Sequence, residues 1–424
     1  MATVVISPCN VVNFSEAGGH FWVYMQYARA LRQLGCDVYW LESFRSSGHP
    51  DRDAEVLAPF FERMERYGFG GKVILYTSCG SVHGTSAPIK YVGMSPPAAE
   101  AIFRRADLLL NFHYAIDPAL LGCFRRRALV DIDPGLLQFW IAVGQLVVPE
   151  YDCYFTTGET VGTGYPPAGA AMFPDCGLSW MHVRPPVCLE LWPYVYGPHC
   201  EALTTVSSWW GGDGSGKGEW ITDGKEVSYD NSKRVSFLEF LELPRRTSQA
   251  LELALYLSEG KGASPQDPES QGCREMTPGP GGIPDYKGDI EDRRLLESHG
   301  WRIRHSRAVA STPEAYQSYI QGSRGEFSCA KPSCMKFQNA WISDRTLCYL
   351  ASGKPAVVQN TGPSSFLPNG EGIFRFSTMG EAVDALARVN AHYERHCRAA
   401  REIVEAYFDA RQVLERILNC ALSG

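Results

Sequence analysis

No apolar run among the 424 residues approaches the roughly 18 needed to cross a bilayer, and the opening Thr3 to Ile6 is too short and uncharged for a secretion signal. A cytoplasmic chain with no integral membrane segment is the expectation. Fourteen cysteines are present, yet none form a C-x-x-C pair, and Cys329 and Cys334 are the nearest two. In a chain of this length they read as reduced, mostly buried small hydrophobes, with no metal centre. Positive charge is not in excess, since 40 Lys and Arg face 47 Asp and Glu for a net charge of −7. That balance argues against nucleic acid as the partner, and the run Arg125 to Arg127 reads as a solvated turn. The dinucleotide fingerprint G-x-G-x-x-G is missing too: Gly18-Gly19 is followed by His20, which disfavours a nicotinamide or flavin oxidoreductase. Gly211 to Gly218 (GGDGSGKG) nearly spells a phosphate-binding Walker loop. Gly218 stands where a magnesium-binding Ser or Thr is required, so the stretch reads as a flexible loop near a cleft.

What is present alternates strand and helix. Val4 to Ile6 opens as a buried strand, a helix carries Trp22, Met25, Tyr27, Ala30, Leu31 and Leu34, and Val38 to Leu41 is a second strand. That unit suits a parallel sheet. Further strands are predicted at Val73 to Tyr76, Leu108 to Asn111, Ala128 to Asp131 and Cys153 to Thr156. The proline- and aromatic-rich WPYVYGPHC at Trp192 to Cys200 reads as a connection between domains, placed at 1–195 and 196–424. The second half resumes with Leu203 to Val206, Leu251 to Leu257, Trp301 to Ile303 and Gly325 to Ala330, then ends in helices over Gly380 to Leu422. Residues 258–288, rich in Gly, Pro, Ser and acids, cannot bury enough surface to order themselves and read as a mobile insertion. The fold class is α/β, with two doubly wound halves.

The most telling stretch is WISDRTLCYLASGKPAVVQNTG, Trp341 to Gly362. Ser343 and Asp344 are good helix caps, so the amides behind them face the preceding loop, with Arg345 alongside. A helix start beside a guanidinium suits a diphosphate. The strand Ala356 to Val358 then delivers Gln359, Asn360 and Thr361 at its carboxyl end, where open α/β sheets bind ligands. In the first half His20 stands at the mouth of a helix, as a general base or as a cap of its own loop. Asp133 in VDIDPG is either the carboxylate that orients it or a turn residue. His113 is a second candidate base. Phe21, Trp22, Trp209 and Trp210 read either as core or as a flat acceptor wall.

With these residues the chain resembles the GT-B glycosyltransferases, two facing Rossmann-like domains with a cleft between. GEFSCAK, WISDRTLCYLASGKPAVVQNTG, FTTGE, LPRRT and LPNGEG are similar to a bacterial group described only as glycosyltransferases. The resemblance implies that Ser343, Asp344 and Arg345 hold the donor diphosphate, with Ser207, Ser208, Arg245 and Lys331 as further contacts. It implies that Gln359, Asn360 and Thr361 meet the donor sugar, and that His20, behind Gly18 and Gly19, is the catalytic base. Cys348 stands where such enzymes commonly carry a glutamate, which disfavours a retaining mechanism. The expected activity is transfer from a nucleotide-sugar to a hydroxyl on a small or aromatic acceptor, inverting, without metal or other cofactor. Two alternatives remain: a nucleotide-sugar epimerase or sugar phosphorylase of the same fold, and a non-catalytic nucleotide- or sugar-binding protein.

Overall fold

The computed structural model describes all residues except 15, 78–88, 163–175, 211–218, 223–227, 258–285 and 424, with side chains also omitted at 286–288. The Walker-like run and nearly all of the expected insertion lie outside the described residues. Residues 286–288 are part of a helix that begins at Tyr286.

The first sheet takes β1 (Thr3–Ser7), β2 (Asp37–Ser43), β3 (Val73–Thr77), β4 (Lys90–Val92), β5 (Leu108–Asn111), β6 (Arg127–Asp131), β7 (Cys153–Thr156) and β8 (Trp180–His182). Their order is β4-β3-β2-β1-β5-β6-β7-β8, parallel except for the β3–β4 pair. Both faces of β1 are covered, which is why Val4, Val5 and Ile6 form a continuous apolar run with no exposure. Helices α1 (Gly18–Gln33), α2 (Pro50–Arg66), α3 (Pro96–Arg105), α4 (Pro118–Leu121) and α5 (Leu136–Ala142) supply the connections.

The second sheet runs in the order β13-β12-β9-β14-β15-β16, all parallel. Its strands are β9 (Ala202–Ser208), β12 (Ala250–Tyr256), β13 (Arg302–His305), β14 (Gly325–Ser328), β15 (Ala356–Gln359) and β16 (Ile373–Phe376), while β10 (Trp220–Thr222) and β11 (Ser228–Asp230) form a separate antiparallel ribbon. Around them lie α6 (Lys233–Glu239), α7 (Tyr286–Ser298), α8 (Ser306–Ala310), α9 (Pro313–Gln321), α10 (Pro332–Phe337) and α11 (Asp344–Ala351). The chain closes with α12 (Met379–Ala391), α13 (Tyr393–Tyr407) and α14 (Ala410–Leu422). No described helix is long and apolar enough to cross a membrane.

The two sheets face each other through helices. The last helix, α14, returns to α1 of the first lobe, and Val187 exchanges backbone hydrogen bonds of 2.9 and 3.1 Å with Phe408 and Ala410. Gly18 and Gly19 sit in the first turn of α1 and not in a preceding loop. A side chain on Gly18 would stand 2.1 Å from the Thr312 carbonyl oxygen, and one on Gly19 would meet the Tyr316 ring at 2.7 Å. The glycines are there because the opposite lobe's α9 and the loop before it press against the start of α1. Trp22 locks the same contact by donating its indole N–H to the Pro313 carbonyl at 2.9 Å. Phe21, Trp22 and Trp209 are buried core, which removes them as an acceptor wall.

Candidate functional site between the lobes

His20 lies where β1 feeds α1, its ring edge-on to Phe14 and Tyr24. Nε2 stands 2.5 Å from the carbonyl oxygen of Cys9. A carbonyl only accepts, so Nε2 carries the proton and Nδ1 is the basic nitrogen of the neutral ring. Burial lowers the imidazole pKa below its ordinary value, while the Cys9 carbonyl and the charge of Asp344 act the other way. Asp344 belongs to the other lobe, at the first turn of α11. The imidazole and that helix start therefore lie close enough for their charges to interact.

The expected orienter, Asp133, does not serve this ring. Its backbone N–H is held by Asp131 Oδ1 at 3.0 Å, and its charge acts on Lys331. The tautomer of His20 is set by a backbone carbonyl instead, and the carboxylate it feels is Asp344. His113, the other candidate base, is bonded to Ser7 Oγ at 3.0 Å, and burial pushes its pKa down to about 4, leaving a feeble base.

On the second lobe the start of α11 is built as expected, with Ser343 Oγ accepting the Arg345 N–H at 3.3 Å. Arg345 itself is a correction. It is only 7% exposed, and its donors go to Glu326 Oε1 at 2.8 Å, the Val206 carbonyl at 2.8 Å and Ser328 Oγ at 2.5 Å. The fork ties α11 to the carboxyl ends of β9 and β14, so it does not reach outward to grip a ligand. Asp344 is also recast: burial raises its carboxyl pKa, and Arg345, Lys233 and His20 draw it back. An acid at that point repels a diphosphate, so only the backbone there suits an anion. Arg245 is a third correction. It lies in the short turn Leu243–Arg246 that leads into the amino end of β12, bonded to Glu242 and to the Ser298 carbonyl at 2.9 Å. That is the opposite edge of the sheet.

A cation not expected from the sequence lies near the start of α11. Lys233 begins α6, and burial, with Arg345 and Lys331 nearby, pushes its pKa down to about 7. Its only local sign is the preceding Ser232 at the helix cap position. Lys331 caps α10 with Nζ 2.9 Å from Glu219 Oε2, and Asp133 and Glu219 together hold it charged. Ser208 ends β9 at the same carboxyl edge, where Ser207 Oγ donates to the Ser208 carbonyl at 2.8 Å.

Gln359 and Thr361 line a small hollow of about 30 Å³ together with Ser343, Thr346 and Ala330. Gln359 Oε1 accepts the Ala330 N–H at 3.0 Å, and Thr361 Oγ1 donates to the Trp341 carbonyl at 2.6 Å. Asn360 turns its Oδ1 to the Gly362 N–H at 3.3 Å and is not among the residues lining that hollow. Across the cleft, Asn339 Nδ2 reaches the Pro134 carbonyl at 2.7 Å, Thr160 Oγ1 the Gln338 carbonyl at 3.0 Å, and Glu159 accepts the Ser365 N–H at 2.7 Å. Leu136 and Phe139 of the first lobe also share an apolar cluster with Ile221 and Phe337 of the second. A larger hollow of 540 Å³, lined by Glu371, Arg395, Arg398 and Glu402, lies away from these strand ends and holds charges of both signs.

No family model matches the sequence, and no curated protein does. Solved structures do match over their whole length. HepE of Anabaena, solved in complex with UDP, is 11% identical with a TM-score of 0.55 and covers 100% of both chains. Sucrose-phosphate synthase of Thermosynechococcus elongatus is 12% identical at 0.52, over 99% of this chain and 98% of that one. The pneumococcal O-GlcNAc transferase GtfA, in complex with UDP and GlcNAc, is 8% identical at 0.51, over 100% and 99%. The chain has the fold of the GT-B glycosyltransferases.

Proposed function

We propose that this protein transfers a sugar from a nucleoside-diphosphate sugar to an acceptor hydroxyl. The observation that carries the reading is that the half-buried imidazole of His20 in the first lobe interacts with Asp344 at the start of α11 in the second, close to Lys233 and Arg345. His20 Nδ1 takes the acceptor proton as the hydroxyl attacks the anomeric carbon. Lys233, the amides at the start of α11 and the field of Arg345 stabilise the departing diphosphate, and these charges can do so without a divalent ion. Gln359 and Thr361, beside that helix start, suit the hydroxyls of the donor sugar. A base on the face opposite the leaving group favours inversion at the anomeric carbon.

The solved structures of similar fold that carry UDP support uridine diphosphate as the first probe. A thermal-shift screen over nucleoside diphosphates and nucleotide-sugars tests the donor, because a ligand held only by the native state raises the melting temperature. No shift with any of them removes the proposal. Product analysis with donor alone then separates transfer from epimerisation. A diphosphate binder that gives no product with donor and acceptor, in the parent as in His20→Ala, is a binding protein only.

A further inference from the structure

At the end of the second lobe away from the cleft, where the chain enters β15, Lys354 is buried with 0% exposure, and its Nζ has no hydrogen-bond partner. An uncompensated ammonium in such a place is costly, and burial accordingly lowers its pKa. The amine therefore carries a lone pair over a larger share of the neutral range than a surface lysine does. Its neighbours are thiols. Cys200 and Cys397 are the two groups that act on it electrostatically. Cys200 ends the connection between the lobes, and that connection is fastened beside Lys354 by the 3.0 Å bond from the Val195 N–H to the Ser352 carbonyl. Gly197 shows how tight the cluster is. A side-chain carbon there would lie 2.6 Å from Cys200 Sγ and 2.9 Å from Lys354 Nζ, so both atoms crowd around one point.

The two thiols differ in access. Cys397, on α13, is wholly buried, and burial raises its thiol pKa, whereas Cys200 is only partly buried. A small oxidant meets Cys200 first. We infer that Cys200 and Lys354 form a peroxide-sensitive modification site, in which oxidised Cys200 is captured by the Lys354 amine as a sulfur–nitrogen cross-link.

The chemistry balances with hydrogen peroxide as the named oxidant. The Cys200 sulfur attacks one peroxide oxygen, the O–O bond breaks, and a sulfenic acid and one water result. The Lys354 nitrogen lone pair then attacks that sulfur, the S–OH bond breaks, and the hydroxide leaves with an amine proton as a second water. Sulfur is oxidised by two electrons, peroxide is reduced by two, and the protein loses two hydrogens. The bond joins the connection between the lobes to the core of the second lobe. A thiol reductant reverses it.

The test uses the full chain, treated with hydrogen peroxide, its free thiols blocked by alkylation in denaturant, and digested for peptide mass mapping. The expected product is a linked pair of peptides containing Cys200 and Lys354, lighter by two hydrogens, abolished by dithiothreitol and absent from Cys200→Ser. Cys397→Ser retains the link. A Cys200–Cys397 disulfide with Lys354 free would overturn the inference. So would Cys200 recovered alkylated, or as a sulfinic or sulfonic acid with no link. Melting curves of both serine variants matching the parent's establish that they are folded. Should Cys200→Ser not fold, the link mapped in the parent and in Cys397→Ser decides.

Discussion

At the scale of single residues, burial moves two groups towards their neutral forms. His20 is kept neutral, and Lys233 is brought to the edge of neutrality, with a pKa of about 7. His20→Ala is expected to lower turnover by about 10²- to 10⁴-fold, the range for loss of a general base, while nucleoside diphosphate affinity by calorimetry stays within a few-fold. Equal losses in both quantities would assign the ring to binding. Lys233→Met is expected to weaken diphosphate binding by about 1.5 to 3 kcal/mol, as for a lost charged hydrogen bond. A diphosphate bound beside Lys233 is expected to restore its proton. Below pH about 7 the ammonium is already present, whereas above it binding must first take up a proton, so affinity falls as pH rises through that value. Calorimetry in buffers of different ionisation enthalpy reads the proton uptake directly, and its absence would place the diphosphate elsewhere. His20 and Ser343 were legible in the sequence because a helix cap and a histidine after two glycines are local patterns. Lys233 was not, because only the pairing of β9 with β14 and the seating of α6 bring it to Arg345.

At the scale of elements, Arg345 and Glu326 join α11 to β14 through a 2.8 Å ion pair with side chains 9% and 0% exposed. Removing one partner leaves the other as a buried lone charge, so Arg345→Ala is expected to cost about 3 to 5 kcal/mol in chemical denaturation. A variant of parent stability with weak diphosphate binding would return Arg345 to the ligand. Spacing placed this guanidinium correctly at a helix start, yet the direction of the side chain depends on Glu326, nineteen positions earlier. Glu42 does comparable work in the first lobe. It is fully buried on β2 and accepts from the Val12 N–H at 2.9 Å and Trp40 Nε1 at 2.8 Å, holding the loop that leads to His20. Burial raises its pKa from 4.5 to about 8. The folded state then holds the proton more firmly than the unfolded chain, so this contribution is complete below pH 4.5 and is lost as pH rises towards 8. Glu42→Gln should flatten that fall in urea melts recorded across the window. An unchanged slope would assign it to other groups.

At the scale of the whole molecule, the cleft exists because α1 of one lobe lies against α9 of the other, a contact only glycine permits. A side chain at Gly18 would meet the Thr312 oxygen at 2.1 Å, so Gly18→Val must push the lobes apart. The expected outcome is a larger radius of gyration by solution scattering and loss of turnover, with α/β circular dichroism retained. A variant of parental size would mean that the interface yields locally. The sequence by itself determined the elements that depend on neighbours in the chain: most of the buried strands of both sheets (though not β16), the capped start of α11, and the alternation that makes each half doubly wound. Apolar runs and caps are local signals, set by steric and hydrogen-bonding rules that act over a few residues. Only the tertiary structure decided which charges share the cleft. It turned Arg345 inward, left Arg245 on the far edge, gave Asp133 to Lys331 and brought Lys233 into play. Coulomb and desolvation effects depend on distance through space and on exclusion of water, and neither is written in sequence spacing.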